Sequence, residues 1–270
     1  MGSAKLNINY LILAPIEDMD KKAWYAHKDS SRLIPELKLG FLSMCLAERL
    51  KEPYFDIKKH GAFDPHMKLI KQEPPEYLKA TIWTNMPVKV IEDALPFCKG
   101  YYEVRELDVH PTLHQIFQVK MDWIFGLAET RTRVVFADLD VVVRKSFTNL
   151  VEPNRIYFYS NEGFNIVKYC KPSVRLLDIC KQYDLSLEIN MWNTGFLSVP
   201  SVAFQNRKLA KDVHLAFVES GQISPIAEQS TLDLLLINYA IKNGIEVKET
   251  LDYFDHYWYY GKHKYRDFIL

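Results

Sequence analysis

The run RVVFADLDVVV, Arg133–Val143, gathers the residue types in this chain best suited to chemistry. An apolar, β-branched stretch over Arg133–Ala137 predicts a buried strand. That strand delivers Asp138 to its carboxyl end, where open α/β sheets place their ligand crevices. Asp140 follows two residues later, and in extended geometry both carboxylates point to one side. Two hard oxygen donors at that spacing suit Mg²⁺ or Mn²⁺, which hold substrate phosphates through few protein ligands and several waters.

Three functional classes can use such a pair. One is a metal-dependent transferase acting on a phosphorylated donor. Another is a haloacid-dehalogenase-like phosphatase, in which Asp138 would be the nucleophile. Such phosphatases carry the pair near the start of their domain and add a lysine and a later acidic pair, whereas here Asp138 lies mid-chain. The third is a non-catalytic nucleotide- or carbohydrate-binding module.

Several elements must position the pair. Ile8–Ala14 (INYLILA), Ala80–Thr84 (ATIWT) and Tyr101–Leu107 (YYEVREL) read as further strands. Leu33–Leu50, Val88–Phe97 and His114–Ala128 have helical spacing. Strands alternating with helices predict an α/β fold with a mixed, mainly parallel, Rossmann-like sheet flanked by helices. Beyond Asp140, strands are expected over Arg155–Ser160, Asn165–Tyr169 and Gly195–Val199, and helices over Leu176–Tyr183, Phe204–Val218 and Gln229–Lys242. Glu17–Arg32 reads as a polar loop and Lys51–Lys79 as irregular, while the aromatic tail Tyr253–Phe268 has no clear period. The whole of 1–270 is expected to form one domain, with a nucleotide-binding half over about 7–140 and an acceptor-side half over about 141–270.

Composition bounds the partners. Lys+Arg and Asp+Glu are each 34, so the formal net charge is zero, which excludes a nucleic-acid binder driven by phosphate contacts. The four cysteines (Cys45, Cys98, Cys170, Cys180) form no CxxC pair and read as buried, reduced thiols. No transmembrane segment and no signal peptide is legible, so a soluble, cytoplasmic chain is expected.

Four segments in order resemble the GT-A-fold glycosyltransferases, nearest to the retaining, family 8-like group that includes glycogenin and lipooligosaccharide galactosyltransferases. RVVFADLDVVVRKSF resembles that family's strand and DxD. MWNTGFLSVP resembles its F-N-A-G strand at Asn193 and Gly195. AEQSTLDLLL resembles its D-Q helix at Glu228 and Gln229, and HYWYYGKHK its C-terminal H-x-x-G-x-x-K at His256, Gly261 and Lys264. Thr194 replaces the family's alanine, Glu228 replaces its aspartate, and four residues instead of two separate His256 from Gly261.

The resemblance implies a metal-dependent enzyme that moves a sugar from a nucleotide diphosphate sugar, UDP-sugar by default, to a hydroxyl of a glycan or other acceptor. Mn²⁺ or Mg²⁺ would be held by Asp138, Asp140 and, as third ligand, His256. Asp138 or Leu139 would approach the ribose, Ala14 and Trp83 the nucleotide at the strand ends, and Lys120 the donor. Gly261 and Lys264 would reach the diphosphate together with Lys262. Gly195 would allow close backbone approach under the sugar, whose hydroxyls Asn193 can bond. Glu228 would bind hydroxyls or serve as a general base, unless it caps its helix. Gln229 would lie beneath the anomeric carbon. The loop holding Trp24, Tyr25, His27 and Arg32 would close over the donor.

Overall fold

The computed structural model describes residues 6–15, 33, 36–41, 43–44, 78–95, 100–204 and 206–256. The expectations placed on Gly261, Lys262, Lys264, Trp24, Tyr25, His27, Arg32, Cys45 and Cys98 lie outside the described residues. The fold is a mixed α/β arrangement with mainly parallel strands, as expected. The chain divides into two compact units that interleave in sequence. The first spans Met1–Leu113, Val135–Leu150 and Leu251–Leu270, and the second His114–Val134 and Val151–Thr250.

In the first unit, β1 (Leu6–Ile12), β2 (Leu78–Thr84), β3 (Tyr102–Glu106) and β4 (Arg133–Ala137) form a parallel sheet in the order β3-β2-β1-β4. Ile8, Tyr10, Ile12, Ala80 and Ile82 are buried, as are Val134 to Ala137, because such strands are covered on both faces. The polar Asn9 is equally buried and is satisfied across strands: its Nδ2 donates to the Val135 carbonyl at 3.0 Å, and its Oδ1 accepts from Trp83 Nε1 at 3.1 Å. A short helix, α1 (Val88–Ala94), follows β2. Residues 36–41 and 43–44 are helical, and Phe41 packs edge-on against both Tyr10 and Tyr102. A second, two-stranded sheet pairs β5 (Val141–Val143) antiparallel with β9 (Phe254–His256).

In the second unit, β6 (Arg155–Asn165) pairs antiparallel with β7 (Asn190–Pro200) and parallel with β8 (Glu246–Glu249). The first residues of β4 also belong here. The half-buried guanidinium of Arg133 donates to Ser198 Oγ at 3.0 Å and to the carbonyls of Glu152 and Arg155. Four helices complete the unit: α2 (Ile116–Ala128), α3 (Val174–Tyr183), α4 (Arg207–Glu219) and α5 (Ser224–Asn243). Ser173 caps α3 and Asn206 caps α4, each accepting from the backbone N–H three residues on. Pro225 opens α5, and Gly244, at φ 62°, closes it. No helix among the described residues is long and apolar enough to cross a membrane.

Several expectations need correction. No separate strand occupies 165–169: β6 runs on to Asn165, whose Oδ1 accepts from the Val167 N–H and turns the chain. The strand at Gly195 begins five residues earlier, at Asn190, and the helix placed at Gln229 begins at Ser224. Glu228 therefore lies beyond the first turn of α5 and does not cap it. Ala14 lies past the end of β1.

Candidate functional site

The acidic pair is built by a strand end and a turn. β4 ends at Ala137, and the Val141 N–H closes back on the Asp138 carbonyl at 3.2 Å. Asp138–Leu139–Asp140 is thus a tight turn, not the extended segment the sequence suggested, because the backbone bond forms before β5 resumes. The turn still gathers the carboxylates. Asp140 is buried and Asp138 partly exposed.

The turn alone does not make a site; β9 completes it. Its register sets Val141 opposite His256, and the Arg144 N–H donates to the Tyr253 carbonyl at 2.7 Å. Phe147 and Phe254 pack with ring centroids 5.4 Å apart behind this sheet. His256 Nε2 then lies 3.1 Å from Asp140 Oδ1. One ligand atom from each of Asp138, Asp140 and His256 can be chosen so that all lie within 4.8 Å of one another. Two carboxylates and an imidazole form a donor set that fits Mn²⁺, or Mg²⁺ with more of its waters kept.

A helix braces the turn from behind, through residues that the sequence reading passed over. A Cβ on Gly40 would come 3.0 Å from the Leu139 carbonyl oxygen and 3.1 Å from that of Val141. Ser43 donates to the Gly40 carbonyl at 2.7 Å, and its hydroxyl oxygen accepts from the Val143 N–H at 2.9 Å. Glycine in a helix interior is usually a cost, so a glycine inside the helical pattern was the signal available.

At the other strand ends, Asn85 acts as a clamp. Its Oδ1 accepts from the Ala14 N–H at 2.8 Å, and its Nδ2 donates to the carbonyls of Ala14 (2.9 Å) and Val109 (3.2 Å). Ala14 is therefore held rigidly, half-buried, just beyond β1. Trp83 spends its indole N–H on Asn9, and the Arg105 guanidinium lies 5.2 Å from its ring centroid. Leu139 is buried.

The second unit holds the remaining predicted residues. Lys120 is not a solvent lysine: it is 8% exposed, with its Nζ 3.4 Å from Glu228 Oε2, itself 3% exposed. The ion pair joins α2 to α5. Gln229 is half-buried beside Glu228. On β7, Asn193 Oδ1 accepts from the Gly195 N–H at 2.9 Å, so the two family-like positions form one local turn of hydrogen bonding. Gly195 is buried.

No protein-family model and no curated protein matches the chain. Solved structures do. The bifunctional glycosyltransferase WbbM, without ligand, superposes with a TM-score of 0.51 at 10% identity, over 93% of this chain and 39% of that one. The galactosyltransferase LgtC in complex with donor and acceptor sugar analogs gives 0.45 at 12% identity, over 86% and 70%. Mouse xyloside xylosyltransferase 1, apo form, gives 0.44 at 11% identity, over 98% and 92%. The likeness to WbbM establishes a GT-A-like fold, in agreement with the sequence resemblance.

Proposed function

We propose that the chain is a metal-dependent glycosyltransferase that moves a sugar from a nucleotide diphosphate sugar, UDP-sugar by default, to a hydroxyl acceptor on a glycan or similar molecule. The observation that carries this reading is the convergence of Asp138, Asp140 and His256 at a parallel-strand end in a chain of glycosyltransferase fold. Nothing about an acidic turn is by itself fit to receive a diphosphate, since like charges repel. A Mn²⁺ or Mg²⁺ ion held by these three side chains would supply that attraction and Lewis-acid stabilisation of the leaving diphosphate.

The protein's own residues would do the rest. Ala14, fixed by Asn85, and Trp83 present the strand ends to the nucleotide, and Leu139 and Asp138 approach the ribose. Lys120 neutralises Glu228 and keeps its buried carboxylate oriented, so that it can accept hydrogen bonds from the hydroxyls of a sugar. Asn193 offers a sugar a donor and an acceptor, and Gly195 leaves space. Gln229 is assigned to the anomeric centre, and Gly261 and Lys264 to the diphosphate, on the resemblance. A cytoplasmic location belongs to the same reading.

A panel of nucleotide sugars tests the proposal. Slow hydrolysis of one donor that requires Mn²⁺ would support it and identify nucleotide and sugar together. Phosphate release from generic phosphoesters with no nucleotide requirement would favour the phosphatase chemistry of Asp138 instead.

A further inference from the structure

One buried carboxyl is used by nothing described so far. Asp233 lies on α5, one and a half turns beyond Glu228, and has no exposed surface. Its Oδ2 accepts from the Trp192 backbone N–H at 2.8 Å, while its Oδ1 makes no hydrogen bond among the described residues. We propose that Asp233 is a positioning residue, fixing the Trp192–Gly195 segment of β7, and with it Asn193, against α5. The proposal rests on the assignment of Asn193 and Gly195 to sugar binding.

The strand ladder explains why a side chain is needed there. Asn161 pairs with Trp192 and Ser160 with Asn193, but the register shifts on either side of these two pairs. Regular β6–β7 bonding is interrupted around the segment, and two of its amide groups turn to side-chain acceptors instead: Trp192 N–H to Asp233, and Gly195 N–H to Asn193. The Trp192 ring, 5.5 Å from that of Phe158, packs the same stretch onto β6. Asp233 thereby ties the strand to the helix that carries Glu228 and Gln229.

The protonation state matters to this tie. Burial pushes the Asp233 carboxyl well above the usual carboxylate range; the Trp192 amide pulls it down, and Glu228 on its own helix and Glu162 on β6 push it further up. The cation on the adjoining α2, Lys120, is paired with Glu228. Burial and the two neighbouring carboxylates thus favour the neutral acid, and the Trp192 amide favours the ionised one.

Hydrogen exchange at the Trp192 amide, read in the full chain with Asp233→Ala and Asp233→Asn, tests the proposal. Asp233→Ala should speed exchange there about tenfold or more, while Asp233→Asn, which keeps a carbonyl acceptor, should stay within about twofold of wild type. In donor hydrolysis, Asp233→Ala should lower kcat more than it raises KM. Asp233→Asn, the conservative variant, should keep both near wild type. Unchanged Trp192 exchange in Asp233→Ala, or an Asp233→Asn variant as impaired as Asp233→Ala, would overturn the proposal. If Asp233→Ala does not fold, Asp233→Leu, which fills the space but offers no acceptor, takes its place: faster Trp192 exchange supports the proposal and unchanged exchange overturns it. Should the wild type hydrolyse no nucleotide sugar, the functional reading fails while the exchange result still decides the positioning role.

Discussion

His256 Nε2 lies 3.1 Å from Asp140 Oδ1, across a separation of 116 residues, because β5 and β9 pair Val141 with His256. The ligand set therefore depends on a three-residue strand and not on the DLD turn alone. Removing either side chain, in Asp140→Ala or His256→Ala, should lower Mn²⁺ affinity about 100-fold while leaving the fold intact. Electron paramagnetic resonance of free Mn²⁺ in a titration measures this directly, and wild-type affinity in both variants would contradict it.

Gly40→Ala sets two effects against each other. Alanine gains about 1 kcal/mol of helix propensity over glycine. Its Cβ, however, would meet two backbone carbonyl oxygens at 3.0 and 3.1 Å, and such overpacking costs about 1–3 kcal/mol. The net change should be destabilising in thermal unfolding, and Mn²⁺ affinity should fall as well, since the atoms displaced belong to the ligand-bearing turn. An unchanged or raised Tm would show that the helix can yield.

Lys120→Met removes the ammonium group from a nearly buried pair. Breaking such a pair from one side costs about 3–5 kcal/mol, because the remaining charge stays buried. The double variant Lys120→Met/Glu228→Gln should recover most of that loss in urea unfolding, although both variants should transfer sugar poorly. Additive losses would mean the two side chains are energetically independent.

His214 gives a pH dependence of stability. It is buried on α4, its Nδ1 has no hydrogen-bond partner among the described residues, and burial lowers its pKa, against the pull of the Ala227 carbonyl. The folded state then binds fewer protons than the unfolded chain below about pH 6.5, so stability is lost as pH falls below that value. The slope attributable to this residue reaches at most about 1.4 kcal/mol per pH unit. His214→Phe should flatten that part of the profile in chemical denaturation from pH 7.5 to pH 5; an identical slope would contradict the assignment.

Much of the fold was legible from local pattern. β4 falls on the predicted Arg133–Ala137 because a β-branched, apolar run is buried on both faces, and the acids that end it were visible for the same reason. His256 was reachable only through resemblance: β9 is too short to show a period, and its partner strand is remote in sequence. Asn85 directly follows the expected strand Ala80–Thr84, and only the structure shows its amide bonding both backbone groups of Ala14. Asp233 and Gly40 were missed because a lone carboxylate in LDLLL looks like a solvent position, and a helical glycine looks like a defect. In both cases the cause is a tertiary contact, which the local pattern does not identify.

Metal dependence is the central claim, and calorimetric titration of UDP into the wild type and Asp140→Ala, with and without Mn²⁺, tests it most directly. A neutral chain that aims carboxylates at its ligand should bind UDP at least about tenfold more tightly when Mn²⁺ is present, and Asp140→Ala should lose that difference. Equal UDP binding by the wild type with and without Mn²⁺, or no binding under either condition, would contradict the account.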